Sequence, residues 1–166
     1  LLSVPAYYSD ILRWLPIMKD PLKYFSTPCV NEIRAFAEGT RMMLEEGMAA
    51  RFARHAKIAR AFRAALAALG FTFFTEETFF ADTLSVVRYP ADVEDKAFRS
   101  ALGQNGVVVA GGLAETAGKV FRLGHMGNLS FEQVRFAVEA IEKTLRSLNH
   151  PFVSGAGLQV AEAVLS

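Results

Sequence analysis

The sequence is poor in cysteine: Cys29 is the only one, so no disulfide can form within the chain. The lack of an internal disulfide is typical of a reducing compartment, and we expect this protein in the cytoplasm. An excess of charge of one sign is also lacking. The formal net charge is +1, which excludes a strong overall field that would attract nucleic acid or an anionic membrane surface.

Long apolar runs are absent as well. No uncharged stretch reaches the ~20 residues that a membrane-spanning helix needs. Residues 1–5 lack the basic flank and the long apolar centre of a signal peptide. We therefore expect neither a membrane span nor a secretory signal.

Apolar side chains, in contrast, are abundant. They make up 52% of the 166 residues and include 14 phenylalanines, at or above the usual range for globular proteins. A chain of this length suits one domain with a sizeable core. The excess indicates either a phenylalanine-rich core or apolar surface that is covered by a partner or by a further part of the same protein.

The pattern of apolar positions predicts an α+β fold. Residues 1–27 are aromatic and proline-rich, which predicts an extended arm with one short helix, whose rings pack on another surface rather than on each other. Two long helices follow, divided at Gly47, although one bent helix is an alternative. The apolar stripe of the second consists of Met48, Phe52, Ala56, Ala59, Phe62, Leu66 and Leu69.

Beyond Gly70 the spacing of the apolar positions changes, and predicted strands alternate with predicted helices. The order predicts a small, mainly antiparallel sheet covered by helices on one face. The predicted elements are strands at 71–74 and 83–89, a helix at 93–102 capped by Asp92, strands at 107–109 and 120–123, a helix opened by the capping box Ser130–Gln133, and a helix at 156–165.

Several patterns with possible chemistry are better explained by structure. The segment 112–120 has a phosphate loop's glycines, but its spacing is one residue too long and Val120 replaces the Ser or Thr that binds magnesium. Cys29 has no activating base nearby in sequence, and we expect it to be buried. The three histidines, His55, His125 and His150, lack metal-ligand spacing. A basic strip on the second long helix is expected to be a solvated face; it consists of Arg51, Arg54, Lys57, Arg60 and Arg63.

Two segments are not fully explained by structure. In the first, Tyr24 precedes Thr27-Pro28, where we expect a helix to begin. Two hydroxyls beside a helix N-terminus suit an anion such as phosphate, and helix capping alone is the alternative.

In the second segment, Arg122 lies within an apolar strand, and Gly124 and Gly127 follow it. The planar guanidinium group of Arg122 suits a carboxylate, which could belong to a ligand or to an internal aspartate.

These segments resemble the C-terminal region of the class V aminotransferases, the family that contains the alanine–glyoxylate and serine–pyruvate aminotransferases. The similarity covers essentially the whole chain but less than half of a family member. The matching stretches are residues 7–14 (YYSDILRW), 24–28 (YFSTP), 111–113 (GGL) with 118–127 (GKVFRLGHMG), and 155–157 (GAG).

The resemblance implies the C-terminal domain of a fold-type I enzyme that uses pyridoxal 5'-phosphate to move an amino group from a small amino acid, of the alanine or serine type, to a 2-oxo acid such as glyoxylate or pyruvate. It implies that Arg122 binds the substrate carboxylate. Tyr24 and Thr27 would bind the cofactor phosphate of the other subunit in a homodimer. Residues 1–27 would belong to the large domain or dimer interface, and residues 28–166 would form the small domain with its connecting helix.

The family's cofactor lysine has no counterpart here, because none of the lysines of this chain lies in the family's Ser-x-x-Lys setting. The resemblance thus implies a missing N-terminal large domain, and we expect no catalytic residue in this chain and no activity from it alone. His125-Met126 replaces residues that vary in the family beside the carboxylate site. The alternative to an aminotransferase fragment is a non-catalytic α+β module that dimerises or binds a small carboxylate.

Overall fold

The structure is a computed structural model that describes residues 7–166. The chain divides into two compact units, the first ending at Glu46 and the second running from Gly47 to Ser166. The assignment of residues 1–27 to a large domain or dimer interface stays a prediction, and residues 1–6 lie outside the described part. Within that part, no helix is both long and apolar enough to span a membrane.

The first unit contains helix α1 (Ile11–Lys19), a 3-10 turn (Pro21–Lys23) and helix α2 (Val30–Glu46). Rings that α1 and the turn bring together pack edge to face: Trp14 lies 4.8 Å from Phe25 and 5.0 Å from Tyr8 between ring centroids. The Trp14 indole also donates to the Tyr8 carbonyl oxygen at 2.7 Å. The expectation that these rings would not pack on each other is therefore wrong, because the turn returns Phe25 to the helix.

Helix α2 begins at Val30, two residues later than the predicted first helical residue Pro28. The Val30 N–H donates to the Pro28 carbonyl oxygen at 2.9 Å, a tight turn that delays the first helical residue, so Thr27 is not its cap. Cys29 is exposed, and its sulfur accepts from the Tyr8 hydroxyl at 3.5 Å. The predicted burial of Cys29 is therefore wrong.

The second unit is a four-stranded antiparallel sheet packed against helices. The strands lie in the order β1-β2-β4-β3. The elements in chain order are α3 (Met48–Ala68), β1 (Thr72–Phe73), β2 (Leu84–Arg88), α4 (Asp95–Gln104), β3 (Ala110–Gly111), β4 (Val120–Gly124), α5 (Phe131–Ser147) and α6 (Ala156–Leu165). The predicted α+β class with a small antiparallel sheet is confirmed.

The two faces of the sheet differ in burial. Ser85, Val87, Phe121 and Leu123 alternate along β2 and β4 and are buried in the helix-covered core. The intervening residues form a second face, which we call the open face. Its members along the central strands are partly or fully exposed except for buried Val120; they are Leu84, Val86, Arg88 and Arg122. Helices of this unit thus cover one face, as predicted.

The apolar stripe predicted for α3 is buried only in its second half. Phe62, Leu66 and Leu69 have at most 1% of their surface exposed, whereas Phe52 is 62% exposed and Met48 is 39% exposed. Periodicity identifies an amphipathic face but not what covers it. The burial of Met48 and Phe52 was predicted wrongly for that reason.

The capping box that opens α5 is confirmed. The Gln133 N–H donates to the Ser130 hydroxyl at 3.2 Å, and the Ser130 N–H donates to the Gln133 side chain at 2.9 Å. Helix α4, in contrast, is capped by Glu94 rather than by Asp92. The Asp92 carboxylate is within 2.8 Å of the His150 ring instead, a contact across 58 positions that no local pattern reveals.

The tail segment 155–157 has a structural role. The buried Glu142 carboxylate of α5 accepts from the Gly155 N–H at 2.8 Å and the Leu158 N–H at 3.2 Å, and so caps α6 from outside it. A Cβ on Gly157 would lie 2.8 Å from the Leu69 side chain. Gly155 provides the left-handed φ of 81° before α6, and Gly157 permits close packing of α6 on α3 and α5.

Candidate functional site

Arg122 lies at the centre of the open face. It is paired with Val86 of β2 on one side and with Ala110 of β3 on the other. Its neighbours in β4, Phe121 and Leu123, point into the core, which directs the Arg122 side chain away from it. A half-buried arginine is thus held on a rigid central strand.

The guanidinium of Arg122 has one partner in the described part of the chain. Its Nε donates to the Gly111 carbonyl oxygen at 2.9 Å, and neither Nη atom donates to a described residue. No aspartate or glutamate among the described residues pairs with it, so the internal ion pair considered from the sequence is absent there. Two parallel donors remain available, the arrangement that binds a carboxylate through both oxygens.

Strand β3 is held in place by a cluster behind it. The Arg99 guanidinium donates to both Asp95 carboxylate oxygens, at 2.9 and 2.7 Å, and these bonds lower the pKa of Asp95. The Tyr89 hydroxyl donates to the same carboxylate at 2.8 Å, and burial raises the pKa of Tyr89. A Cβ on Gly111 would lie 3.2 Å from the Arg99 guanidinium, so the glycine lets this cluster support the carbonyl that holds Arg122.

This cluster was missed in the sequence. The four-residue spacing of Asp95 and Arg99 on a helix is the signal that could have indicated the pair. Tyr89 gave no comparable signal, because it reaches Asp95 from the end of another element.

The segment after β4 is shaped by Gly127. Its φ of 83° lies in the left-handed region that favours glycine. Its carbonyl oxygen accepts from Arg54 at 3.0 Å and lies 3.1 Å from His55 Nε2. Arg63 donates to the Ala81 carbonyl oxygen at 3.0 Å. The basic strip of α3 is therefore not simply a solvated face, since two of its arginines fix loops.

His125 is fully buried on the core side of β4. Its Nε2 lies 2.9 Å from the Ser85 hydroxyl, and its Nδ1 lies 3.1 Å from the Asp82 carbonyl oxygen. Its ring stacks on Phe62. His125 therefore cannot contact a ligand on the open face, and its role is to pack the sheet on α3.

We expect His125 to make stability depend on pH. Burial lowers the pKa of its imidazole from 6.5 to about 4. The unfolded chain takes up this proton at higher pH than the folded chain does, so the contribution is complete above pH 6.5 and is lost as the pH falls toward 4. The free energy of unfolding should fall by about 2–3 kcal/mol from this group between pH 7 and pH 4, measured by urea denaturation.

The control for this pH dependence is His125→Gln, which can keep the Ser85 hydrogen bond but cannot be protonated. Its stability should fall less steeply with acid than that of the unmodified chain. Equal slopes in the two proteins would assign the acid sensitivity to other groups.

Tyr24 and Thr27 are both exposed, and they lie in the first unit. Tyr24 follows the 3-10 turn, and Thr27 lies in the irregular segment before α2. In the part of the chain that the structure describes, neither hydroxyl has a hydrogen-bond partner. Both are available to an oxygen-rich ligand such as phosphate, and their assignment to the cofactor phosphate stays a prediction.

Two other patterns of the sequence can be compared with the structure. The segment 112–120 contains a 3-10 turn and leads into a strand, whereas a phosphate loop leads into a helix. Among residues 7–166, no group of three or more His, Cys, Asp or Glu side chains could hold a metal ion.

Comparisons with known proteins found related sequences, although no family model matches the sequence. An uncharacterised aminotransferase of Methanocaldococcus jannaschii is 35% identical over 161 residues, which are 96% of this chain and 42% of that protein. The pyridoxamine–pyruvate transaminase of Mesorhizobium japonicum is 35% identical over 169 residues, which are 99% of this chain and 42% of that protein.

A similar structure has also been solved. The crystal structure of the ureidoglycine–glyoxylate aminotransferase from Bacillus subtilis matches 94% of this chain and 41% of its own, with a TM-score of 0.87 and 28% identity. The chain thus spans about two fifths of the length of the relatives that it matches.

Proposed function

The chain belongs to the class V aminotransferase family, and we propose that it supplies the substrate-carboxylate site of an enzyme that transfers an amino group from a small amino acid to a 2-oxo acid. The observation that carries this proposal is Arg122, a half-buried arginine on a rigid strand with two Nη donors that no described residue uses.

The relatives agree with small substrates. Their names pair serine with glyoxylate in Arabidopsis thaliana and pyridoxamine with pyruvate in Mesorhizobium japonicum. Serine, glyoxylate and pyruvate share a carboxylate beside the reacting carbon, which Arg122 can bind in either direction of the transfer, whereas pyridoxamine has none. We infer glyoxylate or pyruvate as the acceptor and an alanine- or serine-type donor.

Class V aminotransferases depend on pyridoxal 5'-phosphate. When bound, this cofactor supplies the electron sink for amino transfer. Two residues of this chain suit its phosphate, because the Tyr24 and Thr27 hydroxyls are exposed and lack partners among the described residues. We place both hydroxyls at the phosphate of the cofactor that the other subunit of a homodimer binds, as the family resemblance implies. We also propose that the enzyme is cytoplasmic and that its large domain lies outside this chain.

The residues of this chain would act by orientation. Arg122 fixes the substrate carboxylate through its Nη atoms, and its own direction is fixed by the Gly111 carbonyl oxygen. Two hydrogen bonds from one planar group leave little rotational freedom to the bound acid, which holds its reacting carbon in one position. Arg99 and Asp95 support this geometry from behind the strand without contacting the substrate.

Reconstitution tests the proposal. The 166-residue chain is co-expressed with the portion of the Methanocaldococcus relative that it does not match, and the purified mixture receives pyridoxal phosphate, alanine and glyoxylate. We expect glycine and pyruvate to form, together with a cofactor-dependent visible absorbance band. Either portion alone is the control and should be inactive. A stable complex that neither binds the cofactor nor turns over would contradict the proposal.

A further inference from the structure

A cavity of about 520 Å³ lies between α3 and the loop that joins β1 to β2. One of its lining residues, Phe73, is paired with the buried Val87 and therefore lies on the core face of the sheet, whereas Arg122 lies on the open face. The volume falls within the range of about 300–1,000 Å³ that is usual for small-molecule sites. This cavity is thus separate from the proposed substrate site.

Two phenylalanines give the cavity an apolar wall. The rings of Phe73 and Phe80 pack edge to face with their centroids 5.3 Å apart, and both side chains are partly buried. Ala64 of α3 lines the cavity beside them. An aliphatic group that contacts this wall removes apolar surface from water, which favours its binding.

Arg63 of α3 is an oriented cation in the same cavity. Its side chain is only 11% exposed, and its guanidinium lies over the Phe80 ring, 4.6 Å from the centroid. Nη1 donates to the Ala81 carbonyl oxygen at 3.0 Å and to the Ser85 hydroxyl at 3.4 Å, whereas neither Nε nor Nη2 donates to a residue in the described range. The Asp82 carboxylate lies 3.9 Å from Nη2, which is beyond hydrogen-bond distance.

The charge of Arg63 is only partly compensated by the protein. Burial and the neighbouring Arg60 lower the pKa of Arg63, and the carboxylates of Asp82 and Glu77 do not fully oppose this shift. A nearly buried cation is stabilised by a partner that supplies negative charge together with hydrogen-bond acceptors. A ligand carboxylate at Nε and Nη2 would supply both.

Glu77 adds a negative charge on another side of the cavity. It lies in the 3-10 turn Glu77–Phe79 and is exposed, and its carboxylate makes no hydrogen bond or ion pair with a residue that the structure describes. A purely anionic ligand would meet the carboxylates of Glu77 and Asp82. A purely cationic ligand would meet Arg63 and, at the exposed rim, Arg60. A small molecule that carries both charges has a favourable partner for each.

We propose that this cavity is a second ligand site, which binds an α-amino acid with a branched aliphatic side chain. Arg63 binds the carboxylate through Nε and Nη2, Glu77 accepts from the ammonium group, and the side chain lies against Phe73 and Phe80. The ligand binds reversibly and does not react there. Because the cavity and Arg122 lie on different faces of the sheet, this inference does not depend on the proposed function.

Leucine and two of its analogues test the site in the 166-residue chain. Each ligand is titrated into isotope-labelled protein, and binding is followed by NMR on the signals of residues 73–82 and of the His125 ring, which Ser85 connects to Arg63. Isocaproate lacks the ammonium group of leucine, and isoamylamine lacks its carboxylate. We expect leucine to bind roughly five- to tenfold more tightly than either analogue, the range for one charge-assisted contact at a partly exposed site.

Two variants assign the two charges to residues. Glu77→Gln should lower the affinity for leucine roughly five- to tenfold without weakening isocaproate, because only leucine carries the ammonium group. Arg63→Lys keeps the charge but not the planar pair of donors, so it should weaken leucine and isocaproate by similar factors. The matched control is Glu76→Gln, which removes an exposed carboxylate that does not line the cavity and should change neither affinity.

The analogues and Glu77→Gln leave the Arg63–Ala81 hydrogen bond intact, so they test the site even where Arg63→Lys loosens the loop. Equal affinities for leucine and isocaproate, or an unchanged leucine affinity in Glu77→Gln, would overturn the amino-acid assignment. Leucine shifts that are confined to the open face and disappear in Arg122→Met would overturn the second site while supporting the proposed function. The absence of any shift at residues 73–82 would overturn the second site as well.

Discussion

Gly112→Ala is expected to destabilise the second unit by about 3 kcal/mol, the upper part of the range for overpacking. A Cβ on Gly112 would lie 2.1 Å from the Thr116 carbonyl oxygen and 2.5 Å from its carbon. These are backbone atoms, so no side-chain rotation can relieve the overlap, and the turn between β3 and β4 must open. Urea denaturation measures the loss directly.

The Gly112→Ala substitution should also disturb the orientation of Arg122 on the open face. The Gly112 N–H donates to the Val120 carbonyl oxygen at 2.9 Å, and the preceding residue, Gly111, holds Arg122 Nε. Opening the turn therefore releases the end of β3 that orients the arginine. Carboxylate affinity should fall in the variant even under conditions where the sheet remains folded.

The control is Gly103→Ala in α4. Nothing lies within 4 Å of a Cβ placed there, and its φ is not in the left-handed region. Alanine in a helix gains roughly 0.5–1 kcal/mol over glycine, so this variant should be as stable as the unmodified chain or slightly more so. If both alanine variants were equally stable, the close approach at Gly112 would not be a constraint in solution.

Elements with strong local signals were predicted well from the sequence. The capping box at Ser130 gave the start of α5, β4 begins at the predicted residue 120, and α6 has the predicted bounds of 156–165. In each case the residues that determine the element lie within it or directly beside it. A sequence pattern can predict an element when the residues that determine it are close to it in the sequence.

Strand β3 shows where local signals fail. The run 107–109 has high β-propensity, yet the paired residues are Ala110 and Gly111. Val108 is 89% exposed and Val109 is buried, so the run alternates as a strand would but has no partner strand. Propensity reports how a side chain fits an extended backbone, whereas pairing depends on where β4 lies.

The site was predictable in part. An arginine in an apolar strand predicted a carboxylate partner, but the sequence left open whether the partner was internal. The pairing register of β2 and β4 answers this question, because it places Arg122 on the face of the sheet that the helices of the second unit do not cover.

Arg122→Met in the reconstituted aminotransferase should lower kcat/KM by roughly 10²–10³-fold, equivalent to about 3–4 kcal/mol of lost transition-state stabilisation. The variant removes both Nη donors and the charge, while methionine keeps much of the apolar length. Stability should change by less than about 1 kcal/mol, since only the hydrogen bond to Gly111 is lost among described residues. A folded and nearly inactive enzyme is therefore expected.

Arg122→Lys separates charge from geometry. Lysine keeps the positive charge but offers no planar pair of donors, so it should recover part of the lost activity and remain well below the unmodified enzyme. Arg60→Met is the control and should leave kcat/KM unchanged, because Arg60 lies on an exposed part of α3. Activity of Arg122→Met within threefold of the unmodified enzyme would show that the substrate carboxylate binds elsewhere. Full recovery with lysine would show instead that charge alone suffices and that the two-donor geometry at the open face has no role.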